Sequence, residues 1–194
     1  MNIANWVTLS RIPSLFLIVI LLYIQIRWSA TLGFIAFVLA ALTDWYDGYL
    51  ARRYGLISAF GKLMDALTDK ILMIGLLITI LALKIVPLWT LFFILLIVAR
   101  EFIITGLRLV ASVKSIVLAA ENWGKMKTIA QIFSTGFFIL WYALVRDGHS
   151  VIPHLICEIV YDVGMLFFIG STYLTIDSGV RYLVKYRHLL LQMD

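Results

Sequence analysis

The chain has 194 residues, of which 63% are hydrophobic and 14% charged, and its mean hydropathy is +1.01. Soluble domains are about half apolar and about a quarter charged, so this composition excludes an ordinary soluble globular fold. The formal net charge of +5 favours contact with anionic lipid or a phosphorylated substrate and argues against nucleic acid as a partner. The single cysteine, Cys157, excludes a disulfide framework.

Apolar runs of about 20 residues recur along the chain, and this is the length that a helix needs to cross a bilayer. They predict an all-α integral membrane protein with six transmembrane helices, preceded by a short interfacial amphipathic helix in MNIANWVTLS. The expected spans are 13–26, 29 into the segment 44–69, 61–82, 87–110, 123–145 and 152–183. Because no linker divides the chain, residues 1–194 are expected to form a single membrane domain.

Basic residues are distributed unevenly between the two sides of this topology. With a cytoplasmic N-terminus, the outer loops hold Arg27, Lys84 and Arg146. The inner side receives a larger set: Arg11, Arg52, Arg53, Lys62, Lys114, Lys125, Lys127, Arg181, Lys185 and Arg187. Cytoplasmic loops carry an excess of Lys and Arg, so the side that also holds segment 44–69 is expected to be cytoplasmic.

Acidic residues are rare in the first half of the chain and are concentrated in segment 44–69. Residues 1–99 contain four: Asp44, Asp47, Asp65 and Asp69. The first pair is three residues apart and the second pair four, so on helices each pair shares one face. Glycines between the pairs suggest a turn joining two helices, which could point all four carboxylates at one pocket.

Four carboxylates at a membrane boundary repel one another and lose hydration, so a positive charge must compensate them. Structural ion pairs with Arg52, Lys62 or Lys70 are one possibility. Divalent cations are the favoured one, since all-oxygen ligands suit Mg²⁺, Mn²⁺ or Ca²⁺, whereas zinc prefers His or Cys. Two ions bridged by shared aspartates could hold both oxygens of a displacement at phosphorus.

The spacing of the segment is specific: Asp-x2-Asp-Gly-x2-Ala-Arg-x8-Gly-x3-Asp-x3-Asp, from Asp44 to Asp69. It resembles, without gap or substitution, the signature of the CDP-alcohol phosphotransferase family of integral membrane enzymes. The resemblance implies a six-helix fold, a homodimer and a site for two divalent cations, Mg²⁺ or Mn²⁺, at the cytoplasmic boundary. It also implies the reaction, in which an alcohol attacks the β-phosphorus of a CDP-linked donor and CMP leaves.

The same resemblance implies roles for individual positions. Asp44, Asp47 and Asp65 would be metal ligands, and Asp69 would be a ligand that also acts as general base. Gly48, Ala51 and Gly61 would be the small residues where the cytidine diphosphate approaches the backbone. Arg52 would meet the donor or steady one of the aspartates.

Three further segments narrow the acceptor: NWVTLSRIP (5–13), AREFIITGLR (99–108) and GKMKTIAQ (124–131). They resemble the corresponding segments of bacterial family members that transfer a phosphatidyl group from CDP-diacylglycerol to glycerol 3-phosphate. The resemblance implies these two substrates and a location in the bacterial plasma membrane, with the active site facing the cytoplasm. Sister enzymes that use inositol phosphate, serine or phosphatidylglycerol remain the nearest alternative.

Four cations fit a phosphorylated acceptor. Arg100 and Arg108 are eight residues apart, so they lie within roughly 80° of each other around a helix, and Lys125 and Lys127 open the next span. Cations inside a span normally face a partner or a polar cavity, and glycerol phosphate would bring a dianion. The alternative is that Arg100 pairs with Glu101 or an aspartate, and that both lysines are ordinary cytoplasmic-side residues.

Two other groups are open. Asn5, Thr8 and Arg11 are three residues apart and share a helical face, so they could contact the CDP-diacylglycerol headgroup or ordinary lipid headgroups equally well. Glu158 and Asp162 are four apart in the last span and could pair with basic residues or lie near the outer surface.

An alternative from another functional class is a divalent-cation transporter. It would need carboxylates near the bilayer midplane with broken helices around them, whereas segment 44–69 is a basic, glycine-punctuated turn.

Overall fold

The computed structural model describes residues 3–54, 59–113, 122–148 and 152–187, and it describes side chains in 10–43, 67–109, 111, 126–148 and 152–187. These residues form six α-helices. They are α1 (Ile3–Tyr23), α2 (Ser29–Tyr54), α3 (Ala59–Ala82), α4 (Thr90–Val113), α5 (Asn122–Asp147) and α6 (His154–Lys185). For the residues that the structure describes, the predicted all-helical architecture is therefore confirmed, and that all six helices cross a membrane stays a prediction.

Three stretches within the described residues are long and apolar enough to cross a membrane: Thr90–Leu109, Met126–Asp147 and His154–Lys185. Two shorter apolar helical stretches are Ser10–Tyr23 and Ser29–Thr43. Large apolar side chains also cover the outside of the bundle, such as Leu166, which is 70% exposed. A surface of this kind is unfavourable in water and suits contact with lipid, in keeping with a membrane protein.

The N-terminal segment differs from the prediction. A short interfacial helix was expected before a separate span from Pro13, but the structure has one continuous helix from Ile3 to Tyr23. Proline lacks the amide hydrogen that would bond to the carbonyl of residue 9, and helices of membrane proteins tolerate such a gap. One residue further along, the Ser14 hydroxyl donates to the Ser10 carbonyl at 2.8 Å.

The helices alternate in direction along the chain, so the bundle has two ends. We call the end that holds the first turn of α1 the proximal end and the other the distal end. α2 and α3 both pack against α1 and α5, α4 packs against α3 and α6, and α5 and α6 share the most extensive contact. The C-terminal part of α2 and the N-terminal part of α3 therefore both reach the proximal end.

Glycines permit the closest helix contacts in the core. A Cβ atom on Gly75 of α3 would lie 2.6 Å from Cδ2 of Leu15 on α1. A Cβ on Gly136 of α5 would lie 3.0 Å from Cε1 of Phe37 on α2. Small residues at such points let helix backbones approach closely in membrane proteins. The first contact brings α3 close to α1, and the second brings α2 close to α5.

The distal end is closed by two charged residues in the last turn of α5. The Asp147 carboxylate accepts hydrogen bonds of 2.8 Å from both the amide and the hydroxyl of Thr31, in the first turn of α2. Arg146 donates to the Leu22 carbonyl at 2.9 Å and to the Ser29 hydroxyl at 3.1 Å. Together these residues cap the end of α1 and the start of α2, where backbone groups lack helical partners.

Candidate active site

The four aspartates of segment 44–69 lie on two helices at the proximal end. Asp44 and Asp47 lie in the C-terminal half of α2, and Asp65 and Asp69 lie in the N-terminal half of α3. Because both segments are helical, each pair shares one face of its helix, as the sequence predicted. The side chains of Asp44, Asp47 and Asp65 lie outside the described residues, whereas that of Asp69 is described and is partly buried.

The residues predicted to bind the donor have the same distribution. Asn5 and Thr8 lie on α1, Gly61 lies on α3, and the other three lie on α2: Gly48, Ala51 and Arg52. The structure describes the backbone of these residues and not their side chains. Arg11, on α1, is described and partly buried. α1 packs against both α2 and α3, so these positions belong to three neighbouring helices at one end of the bundle.

A buried ion-pair network lies beside Asp69. Lys127 of α5 is only 5% exposed, and its ammonium pairs with the carboxylate of Glu101 on α4. Arg100 reaches the same carboxylate oxygen, with Nη1 at 3.3 Å. The Arg100 and Glu101 side chains are 14% and 15% exposed. The sequence left open whether Arg100 pairs with Glu101, and the structure shows that it does. For Lys127 the alternative was an ordinary cytoplasmic-side residue, and the structure shows its side chain buried and paired with Glu101.

This network and the aspartate site share one region of the bundle. The charges of Asp69, Lys70 and Arg100 all lie near enough to Lys127 to act on it electrostatically. α3, α4 and α5 therefore bring a carboxylate of the signature close to two of the predicted phosphate-binding cations, Arg100 and Lys127. Lys125 lies two residues before Lys127 on α5, and its side chain is outside the described residues.

The chemistry of this region fits divalent cations. The signature residues supply only carboxylate oxygens, which are the ligands that Mg²⁺ and Mn²⁺ prefer. Among the described side chains, no three His, Cys, Asp or Glu residues lie close enough together to hold a metal ion. Asp69 is the one signature aspartate whose side chain is described. The helical placement of the two pairs and the position of Asp69 beside buried cations are compatible with a site for such ions.

α6 holds the two arginines of α4 from the other side. Nη2 of Arg100 donates to the Ser178 hydroxyl at 3.0 Å. Nε of Arg108 donates to the Tyr182 hydroxyl at 3.3 Å, and the Arg108 guanidinium lies 5.3 Å from the centre of the Tyr182 ring. Sequence reasoning missed Ser178 and Tyr182, since a serine and a tyrosine in an apolar span carry no specific signal.

The distal end has a cavity of about 970 Å³ between the α3–α4 connection, α5 and α6. It is lined by residues that include Trp141, Cys157, Glu158 and Asp162. Glu158 pairs with His154 one turn earlier at 3.3 Å, and both side chains are exposed. The question that the sequence left open for Glu158 is thus answered: it pairs with a histidine at the surface, at the end of the bundle opposite to the aspartates.

Comparison with known proteins identifies the class of this membrane protein. The family model described as CDP-alcohol phosphatidyltransferase matches residues 1–172, so the chain belongs to that family, and the family recognised in its sequence is confirmed. Family members are enzymes that transfer a phosphatidyl group, and the chain is assigned to that class.

Curated relatives share one name, CDP-diacylglycerol–glycerol-3-phosphate 3-phosphatidyltransferase. The protein of that name from Rickettsia typhi is 38% identical over 186 residues, which cover 93% of this chain and 94% of the relative. The one from Rickettsia bellii is 32% identical over 185 residues, or 93% of each chain. The one from Bacillus subtilis is 36% identical over 151 residues, or 72% of this chain and 77% of the relative.

Proposed function

We propose that this protein transfers the phosphatidyl group of CDP-diacylglycerol to sn-glycerol 3-phosphate, giving phosphatidylglycerophosphate and CMP. The observation that carries the proposal is the buried network of Arg100, Glu101 and Lys127 beside Asp69, in a chain whose curated relatives have this activity as their name. The product would make the enzyme a step in the synthesis of anionic phospholipids.

Asp44, Asp47, Asp65 and Asp69 would hold two divalent cations, Mg²⁺ or Mn²⁺. When bound, such ions neutralise the charge of a pyrophosphate and draw electron density from the phosphorus under attack. Arg52, Gly48, Ala51 and Gly61 would receive the cytidine diphosphate, and Asn5, Thr8 and Arg11 would contact the same donor from α1. The apolar surface of the bundle lets the acyl chains of CDP-diacylglycerol stay in lipid.

Asp69 would accept the proton of the C1 hydroxyl of glycerol 3-phosphate. That oxygen forms a bond to the β-phosphorus, the bond from this phosphorus to the bridging oxygen breaks, and CMP leaves with that oxygen. Positioning and charge stabilisation supply most of the rate enhancement in phosphoryl transfer. The partly buried position of Asp69, close to Lys127, supports this role because the acceptor would be held by the neighbouring cations.

Arg100, Arg108, Lys125 and Lys127 would bind the phosphate of the acceptor. Arg100 and Lys127 both contact the carboxylate of Glu101, and both are largely buried. A dianionic phosphate would gain charge-assisted hydrogen bonds from cations held there, whereas serine is a zwitterion and brings no net negative charge. These cations favour glycerol 3-phosphate over serine as the acceptor.

The six helices would all span the plasma membrane of a bacterium, as a single domain in a homodimer, with the proximal end facing the cytoplasm. Single-cysteine variants on a Cys157→Ser background would test the orientation, since the chain has one cysteine. Arg27→Cys, at the distal end, should react with an impermeant maleimide in intact cells. Arg187→Cys, at the proximal end, should react only after lysis; the reverse pattern would invert the topology.

The activity is tested by CMP release from CDP-diacylglycerol in detergent with Mg²⁺, comparing glycerol 3-phosphate, inositol phosphate, serine and phosphatidylglycerol. Turnover with glycerol 3-phosphate alone is expected. Turnover with another acceptor would assign the protein to a sister activity of the same family and overturn the role of the cation network. Ion transport without CMP release would instead support a transporter.

A further inference from the structure

We infer that the C-terminal third of α6, through Ser178, Gly179 and Tyr182, sets the acceptor specificity of the enzyme by positioning Arg100 and Arg108. This inference rests on the proposed function, because it concerns the phosphate of the acceptor. The three residues do not touch the reacting atoms; they act through the two arginines that do the binding.

Arg100 is oriented by a continuous set of contacts that begins at the α6 backbone. The Ser178 hydroxyl donates to the Thr175 carbonyl at 3.2 Å and accepts from Nη2 of Arg100 at 3.0 Å. A hydroxyl has one donor, so donation to Thr175 leaves its lone pairs for the guanidinium. Ser178 is 2% exposed, so its hydroxyl is held in a dry environment where the bond is directional and strong.

Gly179 defines where the stem of Arg100 can lie. A Cβ atom at position 179 would be 2.8 Å from Cγ of Arg100, a distance that side chains do not adopt. Cγ is close to the α4 backbone, so the arginine cannot escape by moving only its tip. A methyl group at this position would therefore shift the whole guanidinium away from Glu101 and Ser178.

Arg108 is held by an aromatic surface on the same face of α6. Tyr182 lies four residues after Ser178, is 2% exposed, and meets Arg108 with both its hydroxyl and its ring. The Tyr182 ring packs in turn on Tyr186, with centroids 4.7 Å apart. An arginine side chain has large rotational freedom, and a hydrogen bond combined with ring contact removes much of it before the acceptor arrives.

The contacts of these residues connect α6 to acceptor binding. Ser178 and Gly179 contact Arg100, and Tyr182 contacts Arg108. Both arginines are assigned to the phosphate of the acceptor, so a change at these three positions should act on acceptor binding through the arginines.

The test measures initial rates of CMP release by the purified enzyme, varying glycerol 3-phosphate and CDP-diacylglycerol separately. Ser178→Ala and Tyr182→Phe should each raise the KM for glycerol 3-phosphate about tenfold, the factor that corresponds to one lost bond to a charged group. Gly179→Ala should raise the KM for glycerol 3-phosphate by about tenfold or more, because the added methyl group would displace the Arg100 guanidinium. The KM for CDP-diacylglycerol and kcat should stay within about twofold of wild type, because the donor site is unchanged.

α6 supplies a matched control for each variant. Ser171→Ala removes a buried hydroxyl that donates to the Phe168 carbonyl, Tyr173→Phe alters an exposed tyrosine, and Gly170→Ala adds a methyl group to open space. The controls should leave both KM values unchanged. The unfolding midpoint of each variant in detergent is measured in parallel, and Ser178→Ala and Tyr182→Phe decide the matter if Gly179→Ala does not fold.

The outcomes separate the two proposals. Wild-type enzyme without turnover on glycerol 3-phosphate would overturn the proposed function itself. An active wild type whose variants behave like their controls would overturn the inference alone. A fall in kcat and a rise in both KM values, together with a lower unfolding midpoint, would also overturn it by showing a purely structural role for this part of α6.

Discussion

The bundle contains two arginines that are each followed by an acidic residue, one pair in α4 and one at the end of α5. The two pairs differ in the kind of group that they contact. Arg100 and Glu101 contact side chains, among them Lys127 and each other. Arg146 and Asp147 contact the α1–α2 connection through backbone carbonyls, a backbone amide and hydroxyl groups. A similar dipeptide thus forms a buried ion-pair network at one position and a helix cap at the other, and the network is the proposed ligand site.

The difference lies in what each partner can do. Backbone groups at helix ends need partners permanently, so the charges of Arg146 and Asp147 are committed to holding α1, α2 and α5 together. In the proximal half of the bundle, Arg100 and Lys127 contact the carboxylate of Glu101, and under the proposed function an anionic ligand would join them. Removing a charge should therefore affect catalysis at the first position and stability at the second.

The largest expected effect is on kcat, from Asp69→Asn. Removing a general base that is also a metal ligand should lower kcat by about 10³-fold or more, with the unfolding midpoint in detergent unchanged. The matched variant Asp147→Asn, which keeps an acceptor for Thr31, should retain kcat within about twofold. Equal losses of activity in the two variants would contradict the proposal that the proximal end is catalytic and the distal end structural.

Arg100→Met should have the next largest effect. It removes two charge-assisted interactions with the network and the phosphate contact assigned to this residue, so the KM for glycerol 3-phosphate should rise about 100-fold. Arg181→Met is the control, since Arg181 is an exposed arginine that pairs with Asp177 on its own helix at 2.9 Å. A wild-type KM for the acceptor in Arg100→Met would show that the network is structural.

Arg146→Met should destabilise the fold without changing catalysis. Loss of the bonds to the Leu22 carbonyl and Ser29 should lower the free energy of unfolding by about 2–4 kcal/mol. The measurement is denaturant unfolding in micelles, with Arg27→Met as control because Arg27 is exposed and contacts the Trp28 ring. A change in the KM for either substrate, with stability preserved, would contradict a capping role.

The smallest expected effect is an increase in the free energy of unfolding, and it also concerns the distal end. Lys84 has a φ of 56° just after α3, where its amide bonds to Leu81 and the next amide bonds to Ile80. Glycine is the usual residue at this position of a helix end, so Lys84→Gly should raise the free energy of unfolding by about 0.5–1 kcal/mol. Unchanged or lower stability would show that the lysine side chain contributes there.

Local features of the fold were predictable from the sequence. The lengths of the apolar runs predicted the helices, because the length of a run can be read from the sequence without knowing which helices pack together. The largest departure is at the N-terminus, where one helix replaces the expected interfacial helix and span. A smaller one is that α4 begins at Thr90 and not at Pro87, because the Thr90 amide and hydroxyl both bond to the Pro87 carbonyl in a turn. The aspartate positions were predictable too, because helical spacing alone sets which residues share a face.

Contacts between distant parts of the chain were decided only by the tertiary structure. Arg100 and Ser178 are 78 residues apart, Arg108 and Tyr182 are 74 apart, and Thr31 and Asp147 are 116 apart. Periodicity places a residue on a face of its helix, but it does not say which helix packs there or at what rotation. The sequence by itself thus determined the helices, the family and the carboxylate pattern. Helix packing decided that Glu101 joins two cations and that α6 contacts Arg100 and Arg108.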